Sequence, residues 1–63
     1  MAKFIEVTEI GGNKVLVRID KIAAVWNDKR GTFIETGVDD KGVSIGVTVR
    51  ESYAEIKQKI YEV

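Results

Sequence analysis

The chain contains no cysteine, no histidine and no proline. Without cysteine there are no disulfides and no thiolate nucleophile. Without histidine the commonest general acid–base group is absent, and a zinc site would have to be built from carboxylates alone. Net charge is missing too: Lys plus Arg balance Asp plus Glu at ten each, so no large field draws the chain onto nucleic acid or membrane. No apolar run approaches the roughly 20 residues that span a bilayer. The N-terminal stretch Met1–Glu9 lacks the apolar segment of a signal peptide. The expectation is a soluble, cytoplasmic protein, in keeping with cysteine-free composition in a reducing compartment.

At 63 residues there is room for a single domain, 1–63. A domain of this size buries only about 60% of the surface its unfolded chain exposes. Small domains are usually held together by disulfides, a metal or oligomerisation. With the first two excluded or disfavoured, the composition predicts a homo-oligomer, or else an unusually well-packed monomer.

All six glycines fall between Gly11 and Gly46, which suits short strands joined by tight turns. In Lys3–Ile10, Ile5 and Val7 share one face while Glu6 and Thr8 take the other. Gly11–Asn13 reads as a turn. Lys14–Ile19 follows, with Val15, Val17 and Ile19 on one face and Leu16 and Arg18 on the other. Asp20 then favours a corner or a single helical turn by accepting a backbone hydrogen bond. Ala23–Trp26 and Thr32–Thr36 read as strands around an Asn27–Gly31 turn. After the Gly37–Gly42 loop, Val43–Val49 alternates most cleanly, with Val43, Ile45, Val47 and Val49 predicted inward.

The last segment predicts a helix. Ser52 and Glu55 have capping-box spacing. Tyr53, Ile56, Ile60 and Val63 form an apolar stripe, and Glu55 and Lys59 a four-residue charge pair. The fold class is therefore mainly β with one C-terminal α-helix (α+β): a five-stranded antiparallel meander or small open barrel capped by a helix. Phe4, Leu16, Ala24 and Trp26 lie out of phase with the inward set. They predict a second apolar face, covered either by a partner chain or by a barrel curled enough to use both faces.

The residues offer little chemistry. Ser44, Ser52 and Tyr53 have no obvious base beside them, so no catalytic residue is assigned. Asp39 and Asp40 lack the alternate spacing of a calcium loop, and neither glycine-rich turn has the phosphate-loop frame. No metal site and no cofactor is expected. Binding is easier to support. Trp26 and Phe33 flank a turn bearing Lys29 and Arg30, and aromatics beside cations can stack a base and hold its phosphate. Arg18 and Arg50 are further candidates, each needing an acidic neighbour such as Asp20 or Asp28, or an anionic ligand.

Phe4–Val25 and Val47–Ile60 together resemble the FlbD-type small flagellar proteins and similar short bacterial and phage proteins. The shared features are a glycine hairpin leading to an Ile-Asp-x-Ile corner and a V-x-E-S-x-x-E-I-like ending. That resemblance implies a role in flagellar gene control or an undefined small-protein function, without site residues to carry over. The order of five strands and a helix also resembles the carbon storage regulator family, intertwined dimers in which Arg50 would fall at an RNA-contacting arginine. This chain lacks that family's proline before the last strand, its central glycine–valine–asparagine segment and its first-strand RNA-contacting sequence. The leading expectation is a non-enzymatic binding or regulatory module acting as a homo-oligomer, such as a phage- or bacterium-encoded protein inhibitor or a protein sequestering a small ligand. The alternative is an RNA- or nucleotide-binding regulator using Arg18, Trp26, Lys29, Arg30, Phe33 and Arg50. Expected partners are a second copy, a protein or a small anionic ligand, with nucleic acid behind these and no membrane.

Overall fold

Alternating apolar and polar residues decide most of the architecture, seen in a computed structural model that describes residues 2–63. β1 (Phe4–Thr8) and β2 (Lys14–Arg18) form an antiparallel hairpin with Ile5 opposite Val17 and Val7 opposite Val15. Ile5, Val7 and Val17 are buried and Val15 half-buried, so one hairpin face is core, as the alternation predicts. Across the Gly11–Asn13 turn, the Glu9 carboxylate accepts from the Asn13 side-chain amide at 3.1 Å. A 3₁₀ turn, Ile19–Lys21, leads out of β2. This is the single helical turn expected at Asp20, but among the described residues the Asp20 side chain accepts no backbone hydrogen bond. Its carboxylate instead accepts from Arg18 Nε at 2.8 Å, a charge-assisted bond that outcompetes a neutral backbone donor.

β3 (Ala24–Asp28), β4 (Gly31–Val38) and β5 (Ser44–Val49) make an antiparallel meander. Asn27 and Asp28, expected in the turn, extend β3 instead, leaving only Lys29 and Arg30 at the tip. Gly31 makes this tight connection feasible. It sits at φ +151°, and a β-carbon there would run into the Val49 carbonyl oxygen. The Asp39–Gly42 loop is an ordinary turn in which Asp39 Oδ1 accepts from the N–H groups of Lys41 and Val43, both at 2.9 Å.

The two sheets join where β1 ends. Glu9 bridges Val49, the Arg50 N–H donates to the Thr8 carbonyl at 2.8 Å, and the Ile10 N–H donates to the Thr48 carbonyl at 3.1 Å. The chain is mainly β with one C-terminal helix, its strands divided into sheets of two and three rather than one continuous meander, and no barrel closes. The core between the layers is Ile5, Val7, Val17, Ile34, Val49 and Ile56, edged by Val15, Ile19, Ile22, Val25, Val47 and Ile60.

Two expected core positions lie outside it. Val43 and Ile45 share the inward phase of β5 yet are exposed, Ile45 at 50%. The hairpin meets β5 only at its C-terminal end and turns away at Gly11. Among the described residues no strand pairs with the open edge of the first half of β5.

The helix α1 (Tyr53–Tyr61) starts at the predicted capping box. The Glu55 N–H donates to Ser52 Oγ at 3.1 Å and the Ser52 N–H to Glu55 Oε1 at 3.2 Å. That use of the Glu55 carboxylate explains why no Glu55–Lys59 ion pair forms among the described residues. The helix packs on β3 of its own sheet. Ile56 is fully buried and Ile60 half-buried, but Tyr53 and Val63, the ends of the predicted stripe, stay in solvent. Only the middle of the stripe faces the core.

Candidate functional site

On the three-stranded sheet, Val25 and Ile34 point into the core, so their neighbours Trp26 and Phe33 must point out. The two rings are cross-strand partners with centroids 5.0 Å apart and planes tilted by 40°. Trp26 remains 39% exposed and Phe33 half-buried. Thr48 stands opposite Phe33 on β5, and Ile10 bonds to Thr48, which continues the row. Beside this row the face is bare backbone at Gly46, where a β-carbon would run into the Ile34 carbonyl oxygen. This glycine lies next to the irregularity between Glu35 and Gly37, where β4 and β5 slip register.

Alternation places Arg50 on the same outer face as Thr48 and Gly46. Among the described residues its guanidinium pairs with no carboxylate. It donates instead to the Ile10 carbonyl, at 3.0 Å from Nη2 and 3.3 Å from Nε, and pins the β1–β5 junction. Lys29 and Arg30 stand exposed at the β3–β4 tip. The Asp28 carboxylate accepts from the Lys29 N–H at 2.7 Å and so helps to form the tip itself. Of the candidate residues, Trp26 and Phe33 touch, Arg50 shares their face, and Lys29 and Arg30 rim its end. Arg18 belongs elsewhere, on the outer face of the hairpin.

That hairpin face is compact and fully solvated. Phe4 stands opposite Arg18, and Glu6 opposite Leu16. Phe4 is 49% and Leu16 65% exposed, so two of the four residues foreseen as a second apolar face lie uncovered here among the described residues. Ala24, grouped with them by phase, sits half-buried on the other sheet beside Trp26.

One residue that the sequence reading passed over holds the layers together. The Glu51 carboxylate takes the Thr8 N–H on both oxygens, at 2.9 and 3.0 Å. Its own carbonyl accepts from the hydroxyl of Thr32, the buried polar side chain of the core, at 2.7 Å. Partial burial raises the Glu51 pKa, but the Thr8 and Glu51 N–H groups and the charge of Lys59 outweigh it. The carboxyl therefore rests below its ordinary 4.5. The only sequence signal was position: an acid between a strand end and a helix cap.

The surface recesses are open. One of about 170 Å³ lies between α1 and β3, lined by Val25, Tyr53, Ile56, Lys57, Ile60 and Tyr61. Another, of about 330 Å³, runs along Leu16, Ile45 and Val47, with Arg18 and Lys21 on its rim. Small-molecule sites normally bury most of their ligand, which suits neither recess. Among the described residues no helix is long and apolar enough to cross a membrane. Among the described residues no cluster of three or more carboxylates could hold a metal ion. Comparison of the chain with family models, with curated proteins and with solved structures found no match.

Proposed function

We propose that the chain is a small, non-enzymatic binding module of the cytoplasm that works as a homo-oligomer and presents the Trp26–Phe33 face to a protein partner. One observation carries this reading. Among the described residues more large apolar side chains are exposed than buried: ten at the surface, including Phe4, Leu16, Trp26 and Ile45, against six in the core. Single exposed hydrophobics are normal on any protein, but here they outnumber the core. The accessible surface, 4515 Å² for 7.0 kDa, also exceeds the roughly 4,000 Å² expected of a compact monomer of that mass. Association would remove that excess and supply burial that the six-residue core lacks. The absence of histidine and cysteine supports a binding role over catalysis.

Sedimentation equilibrium from micromolar to about millimolar concentration tests the reading, since small interfaces give affinities in that range. An apparent mass that rises with concentration is the expected result. A chain that stays at 7.0 kDa throughout overturns it.

The nucleotide or RNA reading has its own supporting observation, the half-exposed indole tilted over Phe33 with Lys29 and Arg30 at the end of the face. It expects Trp26 fluorescence to be quenched by single-stranded RNA or nucleotides, with affinity falling as salt rises. Unchanged emission at low salt removes it.

A further inference from the structure

The outer face of the hairpin carries three cross-strand pairs: Thr8 and Lys14, bonded to each other at 3.0 Å, lie at its turn end, and the other two pairs set four side chains at the corners of a rough rectangle. Phe4 and Arg18 form one cross-strand pair, Glu6 and Leu16 the next, so the two apolar corners lie on one diagonal and the two opposite charges on the other. Neighbouring corners are roughly 5 Å apart across the strands and about 7 Å along them. All four residues are exposed, and among the described residues Glu6 makes no ion pair. Arg18 reaches Asp20 through Nε, which leaves its two terminal amino groups free to donate again.

A pattern of this kind can be tested for self-complementarity. When two identical faces meet about a two-fold axis lying in the plane between them, each corner must fit the corner it lands on. An axis along the strands sets Phe4 on Arg18 and Glu6 on Leu16, desolvating a carboxylate against an alkyl chain. An axis across the strands sets Phe4 on Glu6 and Leu16 on Arg18, with the same defect. An axis along the charged diagonal sets Glu6 on Glu6 and Arg18 on Arg18. The axis along the apolar diagonal alone satisfies every corner. Phe4 meets Phe4, Leu16 meets Leu16, and each Glu6 meets the opposite Arg18, twice by symmetry. Strands then cross at roughly 70°, nearer the orthogonal than the aligned orientation in which β-sheets pack.

Resting on the self-association proposed above, we infer that a second copy of this chain docks on the hairpin face about that apolar diagonal, with reciprocal Glu6–Arg18 ion pairs between the copies. The face spans five residues of two strands, about 17 Å long and about 10 Å wide, well short of the roughly 800 Å² per partner of a stable complex. The dimer is correspondingly weak and exchanges rapidly. Leu16 also borders the groove along Ile45 and Val47, so the same contact brings cover toward the exposed first half of β5.

Charge reversal tests the geometry. Glu6→Arg leaves positions 6 and 18 both basic, and Arg18→Glu leaves both acidic. Each variant alone should weaken self-association at least tenfold. Mixed in equal amounts they should form a heterodimer, because both cross pairs become Arg–Glu again. Sedimentation equilibrium and intermolecular NMR contacts read this out, with thermal melts confirming that each variant is folded. Should Arg18→Glu fail to fold through repulsion from Asp20, Leu16→Asp gives the second test, since it places two carboxylates together on the axis and should also abolish association. If the wild type associates and the single variants associate equally well, the two-fold arrangement fails while self-association stands. If both variants lose association and the mixture does not regain it, the arrangement likewise fails. A wild type that remains monomeric overturns this inference together with the reading beneath it.

Discussion

Replacing Glu51 should cost this protein a large part of its stability, by an amount that depends on pH in a defined way. The carboxylate accepts the Thr8 N–H where β1 joins β5, at 2.9 and 3.0 Å. Hydrogen bonds to a charged partner contribute about 1.5–3 kcal/mol, and an orphaned, partly buried donor costs a similar amount. Glu51→Ala should therefore lose about 2 kcal/mol at neutral pH. A domain of this length has a total of roughly 3–9 kcal/mol. With about 4–8 °C of melting temperature per kcal/mol at this size, the expected fall is roughly 8–16 °C. Glu51→Gln keeps an acceptor but not the charge, and should fall between wild type and Ala.

The pH dependence follows from the depressed pKa. Because the folded value lies below the ordinary 4.5, the unfolded chain binds the proton more readily. The stabilisation is then complete above the unfolded value and is lost as pH falls through the folded one. Urea melts from pH 7 down to pH 3 should show wild type and Glu51→Gln converging in acid, with the gap closing below pH 4.5. The nearest opposing charge is Lys59, whose attraction fades with salt. Melting of Glu51→Ala within a couple of degrees of wild type at pH 7, with an unchanged acid limb, would refute the claim that Glu51 joins the layers.

Two further substitutions probe the scaffold of the faces. Ser52→Ala removes one half of the capping box and should cost about 1 kcal/mol, read as a lower melting temperature with helical circular dichroism lost earlier in the melt. Gly46→Ala forces a methyl group against the Ile34 carbonyl oxygen, so it should cost roughly 1–3 kcal/mol and shift the β4–β5 amide resonances; neutrality would mean that the two strands can part there freely.

What could be read from the sequence was local. The hairpin, the Ser52–Glu55 cap and the outward phase of Phe4, Leu16 and Trp26 depend on neighbours a few residues apart, and each lies where the alternation puts it. The extent of burial could not be read in the same way. Val43 and Ile45 have the same phase as Val47 and Val49, but phase assigns a face without saying whether another layer lies over it. The answer depends on where β1 meets β5, and that junction is made by Thr8, Arg50 and Glu51, more than forty residues apart in the chain. Arg50 shows the same limit. Its type and place at a strand end called for an anion, yet the fold brings it the Ile10 carbonyl, which no periodicity could have named.

These two kinds of information bear differently on function. Arg50 is held at the junction by the Ile10 carbonyl and keeps its charge, and Arg18 is half-engaged by Asp20. Lys29 and Arg30 stand at the tip beside the aromatic pair, and alternation puts the Asp28 and Glu35 carboxylates on the same face as Trp26, Phe33 and Thr48. A phosphate-tracking surface needs cations distributed along the path of the ligand. An aromatic pair among charges of both signs, two of them carboxylates that would repel a phosphate, suits a protein interface, in which aromatics are enriched, better than a phosphate-tracking surface. The electrostatics therefore favour a protein partner on the Trp26 face. The proposed contact between copies rests instead on the hairpin face, where opposite charges stand on one diagonal.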